Sequence, residues 1–456
     1  MSSSSSSPRP LTDAYLSPST FLRSPRFHRT LEHNSRTISY AVAGAQPPQP
    51  SDVNGSDVPP PPPTVLWLNG MGSHRLACVL YDGLFAERGV RLITIDRPGA
   101  GLSTMCPLGE RVKVSVEGTL AVLEAEGVKE CSILSHSNGI IYTAALLLHL
   151  ARLSASTSSH SPVSDSSAPS STANPSSFPP APPVKILSWI LSSPYVPPWH
   201  SESLALSAAR WVPSPLTASL GPLARFAQRV YEPFAKSAGW SAGVSGAIKE
   251  VSGAWGAGFV SPGTAADARA AAEGEEPPPP TQAEAERQRQ RYREANAKRP
   301  EHRQLFGGEY YGPILFTRSM KIAMGEGKME GMGQEALLCL RVGEGREWGW
   351  FTAEEEGGKV EETEMYEKVF GMLKETWGEE PLPMSVVYGA EDAIVPSKGQ
   401  EYLRHLLVDR LKLVLPEQWQ VVPDAGHDDA LGLTCVAEPM LARLLAIHGG
   451  GVEGAA

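Results

Sequence analysis

The sequence has few cysteines, and none of them stands in a C-x-x-C pair. The five cysteines are scattered along the chain, at Cys78, Cys106, Cys131, Cys339 and Cys435. Their spacing argues against a zinc site or a redox couple, so we interpret them as buried free thiols in a reducing compartment. The segment Gly99-Ala100-Gly101 lacks the spacing and the downstream acid of a dinucleotide-binding loop. The sequence therefore predicts neither a metal nor a cofactor.

Positive charge is also sparse. The formal net charge is -10 and no sustained Lys/Arg stripe occurs, which argues against binding to nucleic acid or to an anionic membrane surface. The longest apolar run, residues 139–153, is interrupted by Thr143, His149 and Arg152 and is too short to span a bilayer. Residues 1–30 are rich in serine and arginine and lack the apolar core of a secretory signal. We expect a cytoplasmic protein, with mitochondrial targeting by this segment as the alternative.

Proline and glycine are abundant, with 41 and 43 residues in a chain of 456. Together with serine and alanine they concentrate in segments that cannot bury enough apolar surface to offset the entropy lost on ordering. These segments are a tail at 1–30 and three insertions at 46–63, 154–183 and 264–300. We expect the tail and the first two insertions to be disordered, and the third to be a low-complexity insertion.

Between these segments, short apolar runs alternate with longer runs of helical periodicity, which is typical of βαβ units and a parallel sheet. The predicted strands are 37–42, 64–68, 91–95, 130–134, 185–191, 384–388 and 418–422. Predicted helices include 77–88, 111–126 and 139–153. Runs such as TVLWL and RLITI are continuously apolar, as strands buried on both faces should be. The sequence thus predicts an α/β fold, with a mostly parallel central sheet and helices on both faces.

The segment Ser135-His136-Ser137-Asn138-Gly139 follows one predicted strand and precedes a predicted helix. A strand-to-helix turn this sharp strains its central residue, so the residues two positions away must be small. Ser135 and Gly139 meet that need. The segment resembles the nucleophile elbow G-x-S-x-G of α/β-hydrolases, with serine in place of the first glycine, which implies that Ser137 is a nucleophile. The alternative is a Ser/Asn turn that only caps a helix.

Two later loops resemble the acid loop and the histidine loop of the same superfamily. The run YGAEDAIVP contains Asp392 and the run PDAGHD contains His427, and the order Ser137, Asp392, His427 is the order that this fold uses. A serine hydroxyl needs a base to remove its proton. His427 can act as that base near neutral pH, while Asp392 would orient the ring and stabilise the imidazolium. The neighbouring acids are interpreted as solvated loop charges or helix caps: Asp424, Asp428 and Asp429.

An oxyanion that forms on a substrate needs preorganised donors, normally two backbone N–H groups. The strand 64–68 runs into Asn69-Gly70-Met71, which resembles the superfamily's His-Gly turn with asparagine in place of histidine. The resemblance implies an oxyanion hole made by the N–H groups of Met71 and Asn138. The alternative is a simple tight turn, for which Asn-Gly is a common pair. The run DRPGAGLS at 96–103 resembles a turn of lidded α/β-hydrolases and is interpreted as structural.

The region 201–381 is helical and irregular, and it lies where lidded α/β-hydrolases insert a cap. Apolar residues recur there at helical spacing in 204–211, 220–231, 310–323 and 365–377. The core is therefore predicted in two parts, 31–200 and 382–449, with a helical cap at 201–381 that contains the insertion 264–300. The runs SHSNGIIYTAALLLHL and GQEALLCL are also similar to lidded hydrolases of fungi.

The resemblance implies a serine hydrolase that cleaves a carboxylic ester through an acyl-enzyme. For the substrate we expect a small-molecule ester with an apolar acyl or alcohol part. Epoxide hydrolases and haloalkane dehalogenases share the DRPG turn, but they use a carboxylate nucleophile where this chain has Ser137. Two alternatives stay open, a lyase or C–C bond hydrolase that uses the same triad and a non-catalytic binding protein on this fold. The sequence does not fix an oligomeric state.

Overall fold

The residues described by the structure, a computed structural model, form one sheet with its flanking helices. They are 18–47, 60–158, 184–219, 318–319, 322–323, 325–326, 330–340, 364–378, 380–428 and 430–449. Most of the predicted insertions and the predicted helix 220–231 lie outside these residues, as do residues 1–17 of the predicted tail. In this part of the chain, no helix is long and apolar enough to cross a membrane.

Eight strands form the sheet. They are β1 (Arg29–His33), β2 (Arg36–Gly44), β3 (Thr64–Leu68), β4 (Arg91–Ile95), β5 (Glu130–His136), β6 (Lys185–Ser192), β7 (Met384–Gly389) and β8 (Trp419–Val422). Their order across the sheet is β1-β2-β4-β3-β5-β6-β7-β8. β2 pairs antiparallel with both β1 and β4, and every other neighbouring pair is parallel. The seven predicted strands are confirmed, whereas β1 was not predicted.

The α-helices lie between and after these strands. They are α1 (Pro18–Leu22), α2 (Asp82–Glu87), α3 (Arg111–Ala125), α4 (Gly139–Ser158), α5 (Pro198–Ser201), α6 (Leu204–Ala209), α7 (Ser214–Ala218), α8 (Glu330–Leu340), α9 (Met365–Trp377), α10 (Ser397–Arg404) and α11 (Thr434–His448). The remaining helical turns are Pro25–Phe27, Arg75–Leu80, Leu108–Glu110, His405–Arg410, Pro416–Gln418 and Ala430–Gly432. The helix predicted over 77–88 is therefore two elements, a 3-10 helix and α2. α4 also continues through 154–158, which were predicted to be disordered.

The core lies on both faces of the sheet, because successive side chains of a strand point to opposite sides. Leu66 and Leu68 of β3 pack with α3, α4 and α9 on one face. Val65 and Trp67 of the same strand pack with α2 and α11 on the other face. The predicted fold class, a mostly parallel α/β sheet with helices on both faces, is confirmed by this arrangement.

Two predicted boundaries differ from the structure, namely the end of the N-terminal tail and the end of the cap. Phe21, Leu22 and Phe27 are buried, so the tail predicted over 1–30 is wrong for residues 18–30, where apolar side chains have a core to enter. α9 was placed in the cap, yet Phe370 stacks on Trp189 of β6 at 5.8 Å between ring centroids. The predicted cap boundary at 381 is therefore too late, because α9 packs as a core helix.

Candidate active site

Ser137 occupies the turn between β5 and α4. Its φ of 50° lies in the left-handed region, which is strained for a residue with a side chain. Gly139 has no room for a side chain, because an added Cβ would lie 2.2 Å from the carbonyl oxygen of Leu68. The turn can be this sharp because its second flanking residue is glycine, as the sequence pattern predicted.

Ser135, which stands where the family pattern has glycine, is accommodated by a specific contact. It is 1% exposed. Its hydroxyl accepts a hydrogen bond of 2.8 Å from the indole N–H of Trp189 on the neighbouring strand. The serine therefore provides the acceptor that a buried tryptophan N–H requires.

The structure brings the three residues predicted as a catalytic triad together at the carboxyl ends of β5, β7 and β8. The Nε2 atom of His427 lies 2.9 Å from Oγ of Ser137. Its Nδ1 atom lies 2.8 Å from Oδ2 of Asp392. Asp392 and His427 are 4% and 8% exposed, so this chain of contacts is shielded from bulk water.

The loop after β7 fixes the direction of Asp392. Its Oδ1 atom accepts hydrogen bonds from the backbone N–H groups of Ile394, at 2.9 Å, and Val395, at 2.8 Å. Oδ2 is thereby left facing His427. The adjacent Glu391 is exposed, so its side chain lies outside this set of contacts.

The electrostatic environment raises the pKa of His427 above its ordinary value of 6.5. Burial opposes the charged ring, but the charge of Asp392 and its hydrogen bond outweigh that effect, and the charge of Asp428 adds to it. The surroundings thus favour the imidazolium that a general base becomes when it accepts a proton.

The Asn69-Gly70-Met71 turn passes beside Ser137. A Cβ added to Gly70 would lie 3.3 Å from Cβ of Ser137, so the turn is in close contact with the nucleophile elbow. Among the described residues, no group accepts a hydrogen bond from the backbone N–H of Met71 or of Asn138. Within the described part of the chain, these two amides, predicted as oxyanion donors, therefore have no hydrogen-bond partner.

Asp428 has a role that the sequence did not reveal. It was interpreted as a solvated charge or a cap, and this interpretation is wrong, because its Oδ1 atom lies 2.8 Å from Nε2 of His136. The interaction lowers the pKa of Asp428, although burial alone would raise it. Asp424 is exposed, as predicted, and Asp429 lies outside the described residues. His136, which directly precedes Ser137, was the feature of the sequence that could have suggested an acidic partner near the nucleophile.

The side chains of His136, His427 and Asp428 have ligand atoms within 4.8 Å of one another, a grouping that could hold a metal ion. Both ring nitrogens of His427 already face Asp392 and Ser137, however. A metal on Nε2 would displace the contact with Ser137. The arrangement present therefore favours proton transfer over metal binding.

Sequence reasoning also missed a buried cluster of charges beside the Asn69-Gly70-Met71 turn. Glu335 forms ion pairs with both Arg97 and Arg111, and all three side chains are almost completely buried. Arg97 belongs to the turn interpreted as structural, and Glu335 comes from α8. No spacing signal connects them, because 238 residues separate the two.

Comparison with known proteins gives similarities of structure only. No protein-family model and no curated protein sequence matches the chain. A carboxylesterase structure from the Thaumarchaeon Nitrososphaera gargenis is similar over 93% of this chain and 99% of its own, with 11% identity and a TM-score of 0.43. An epoxide hydrolase of Vigna radiata is similar over 93% and 97%, with 14% identity and a TM-score of 0.44. An α/β hydrolase from a Medee basin deep-sea metagenome library is similar over 92% and 97%, with 12% identity and a TM-score of 0.41.

The classification of the fold follows from the chain's own geometry. A sheet ordered β1-β2-β4-β3-β5-β6-β7-β8, with only β2 antiparallel to its neighbours, carries a strained serine after β5. An aspartate follows β7 and a histidine follows β8, in the order Ser, Asp, His. By the arrangement of its strands and of these loops, the chain has the α/β-hydrolase fold.

Proposed function

We propose that the protein is a serine hydrolase that cleaves a carboxylic ester through an acyl-enzyme. The observation that supports this proposal most directly is the continuous chain of contacts from Ser137 through His427 to Asp392, at 2.9 Å and 2.8 Å. A hydroxyl is a weak nucleophile until a base removes its proton, and this chain supplies a base and a group that orients it.

In the first half of the reaction, Oγ of Ser137 attacks the ester carbonyl carbon while Nε2 of His427 takes the hydroxyl proton. The carbonyl π electrons move to oxygen and form an oxyanion. The C–O bond to the alcohol then breaks, and His427 gives its proton to the leaving alkoxide. The products of this half are the free alcohol and an acyl group on Ser137.

In the second half, water replaces the alcohol. Nε2 of His427 takes a proton from the water, whose oxygen attacks the acyl carbon. The bond from that carbon to Oγ of Ser137 breaks, and the proton returns from His427 to the serine oxygen. The carboxylic acid leaves and the enzyme is regenerated.

The oxyanion in both halves would accept hydrogen bonds from the N–H groups of Met71 and Asn138. Asn138 follows Ser137 directly, the turn that contains Met71 contacts Ser137 through Gly70, and neither N–H donates a hydrogen bond to another described residue. Donors that are already in place cost no reorganisation when charge develops, which is why such pairs contribute strongly to catalysis.

We propose an ester with an apolar acyl or alcohol part, because pockets for small molecules are mostly lined by apolar side chains and such a pocket is expected beneath the predicted cap. Residues 220–317 and 341–363, which contain most of that cap, lie outside the described residues. A series of p-nitrophenyl esters from acetate to decanoate measures which acyl chain length is hydrolysed fastest.

The test compares hydrolysis of this ester series by the wild type and by Ser137→Ala. We expect turnover of at least one ester, with kcat lower by about 10⁴- to 10⁶-fold in the variant, as for other triad serines. No ester turnover by a folded wild type that still reacts with a fluorophosphonate at Ser137 would favour a lyase or C–C bond hydrolase. Neither turnover nor reaction would favour a binding protein.

A further inference from the structure

Glu335 of α8 reaches the loop that passes beside Ser137. Its carboxylate accepts a hydrogen bond of 3.2 Å from the backbone N–H of Gly72. It also pairs with Arg97 and, at 2.8 Å, with Arg111. Burial alone would raise the pKa of Glu335, but the two arginines lower that pKa to about 2. The carboxylate is therefore charged at any physiological pH.

Arg97 connects Glu335 to the Asn69-Gly70-Met71 turn and to the side chain of Asn138. Its Nη1 donates to the carbonyl oxygen of Asn69. Its Nη2 donates to the carbonyl oxygen of Gly70 at 2.6 Å and to Oδ1 of Asn138 at 3.4 Å. The guanidinium carbon of Arg97 lies 4.7 Å from the ring centroid of Tyr142, and this cation–π contact restrains the orientation of the guanidinium. One planar cation thus contacts the turn that contains Met71 and the residue after the nucleophile.

The bond to Gly70 has a consequence for the next amide. In a trans peptide the carbonyl oxygen and the following N–H point in opposite directions, and no peptide bond of the described chain is cis. A hydrogen bond that fixes the carbonyl of Gly70 therefore fixes the direction of the Met71 N–H. Glu335 fixes the following peptide group, between Met71 and Gly72, because its carboxylate accepts a hydrogen bond from the N–H of Gly72.

α8 is seated closely on the loop that carries Arg97. The N–H of Gly331 donates to the carbonyl oxygen of Gly99 at 3.1 Å. A Cβ at Gly331 would lie 2.3 Å from the carbonyl oxygen of Pro98, so the helix approaches this loop as only a glycine allows. Gln334 adds a hydrogen bond of 3.0 Å to the carbonyl oxygen of Cys106.

We infer that Arg97 and Glu335 are positioning residues of the oxyanion hole, and that docking of α8 orients the N–H of Met71. The inference rests on the proposed function. It predicts that α8 contributes to catalysis without touching the reacting atoms. The carboxylate of Glu335 holds Arg97 in place, and Arg97 in turn holds the Asn69-Gly70-Met71 turn.

The experiment measures kcat and KM for the best ester, together with inhibition by an arylboronic acid, in Glu335→Gln and Arg97→Lys. A boronic acid forms a tetrahedral adduct on the nucleophilic serine, so it reports on the oxyanion hole. We expect kcat to fall about 10- to 100-fold in each variant, since loss of a whole donor costs about 10²- to 10³-fold. KM should change little, and boronate affinity should fall by the same factor as kcat.

The matched control is Glu326→Gln. Glu326, which is half-buried, forms an ion pair of 2.5 Å with the buried Arg75, outside the Asn69-Gly70-Met71 turn. This variant should lower the melting temperature as Glu335→Gln does, while kcat stays at the wild-type value. Should Glu335→Gln fail to fold, Arg97→Lys carries the test, because lysine keeps the charge but cannot reach both carbonyl oxygens.

Three outcomes are distinct. A fall in kcat and in boronate affinity for the two variants, with neither in the control, supports the inference. Wild-type kcat in folded Glu335→Gln and Arg97→Lys overturns it and leaves the proposed function intact. A wild type that hydrolyses no ester and gives no adduct at Ser137 overturns the proposed function, and the positioning role falls with it.

Discussion

The carboxylate of Asp428 lies 2.8 Å from Nε2 of His136, the residue that precedes the proposed nucleophile. The ring of His136 in turn lies 5.2 Å from that of His427, measured between centroids. A second histidine–aspartate pair therefore stands beside the proposed triad, and its negative charge is one of the causes that raise the pKa of His427.

The first prediction concerns the pH dependence that this charge creates. His427 must be neutral to accept a proton, so kcat/KM should rise with pH through a midpoint above 6.5, the ordinary pKa of histidine. Asp428→Asn removes a charge that favours the imidazolium, so the midpoint should move to lower pH. The measurement is kcat/KM against pH, with the exposed Glu391→Gln as the control that should not move it. A midpoint that stays in place or rises in Asp428→Asn contradicts the account.

A second prediction separates the two neighbouring acids of the loop after β7. Asp392→Asn keeps the shape but favours the wrong tautomer of His427, which in a comparable triad costs about 10⁴-fold in kcat. Glu391→Gln should leave kcat within about twofold, because the side chain is exposed. Both are measured on one ester at saturation. If Glu391→Gln were the more damaging, the acid would have to be reassigned.

The third prediction tests the contact that replaces the first glycine of the elbow. Ser135→Ala leaves the buried N–H of Trp189 without its acceptor, which should lower the free energy of unfolding by about 1–3 kcal/mol. In a Trp189→Phe background the same substitution should cost much less, because the donor is gone. Urea unfolding of the two single variants and the double variant gives this coupling. A coupling near zero would mean that the serine is tolerated only for its size.

The fourth prediction compares two glycines. Gly139→Ala would place a Cβ 2.2 Å from the carbonyl oxygen of Leu68, so it should distort the elbow and abolish ester hydrolysis. Gly371→Ala lies inside α9 with no atom within 4 Å of the added Cβ. It should instead raise stability by up to about 1 kcal/mol and keep activity. Thermal melts and an ester assay check both, and an active Gly139→Ala would show that the turn is less tight than described.

Local patterns in the sequence were sufficient to predict seven of the eight strands and the three residues of the proposed triad. β3 and β4 are continuously apolar runs, and the loops that carry Ser137, Asp392 and His427 have recognisable short patterns. β1 was missed because its alternating RTLEH run is half-buried at the sheet edge and has one large apolar residue.

Contacts between distant segments could not be predicted in the same way. Asp428 meets His136 across 292 positions, and Glu335 meets Arg97 across 238. In its local sequence, each of these acids resembles an ordinary solvated charge, because its partner comes close only when the chain folds. Their surroundings after folding, rather than their neighbours in sequence, determine that Glu335 is buried, that Asp428 is half-buried and that both are paired.

The central claim is that Ser137 is an activated nucleophile. The most direct measurement is treatment of the pure wild-type protein with a fluorophosphonate, followed by peptide mapping of the adduct by mass spectrometry. The account predicts one stoichiometric adduct on Ser137, slower labelling in His427→Ala, and no labelling in Ser137→Ala. An adduct on another serine, or none on a folded protein, would contradict it.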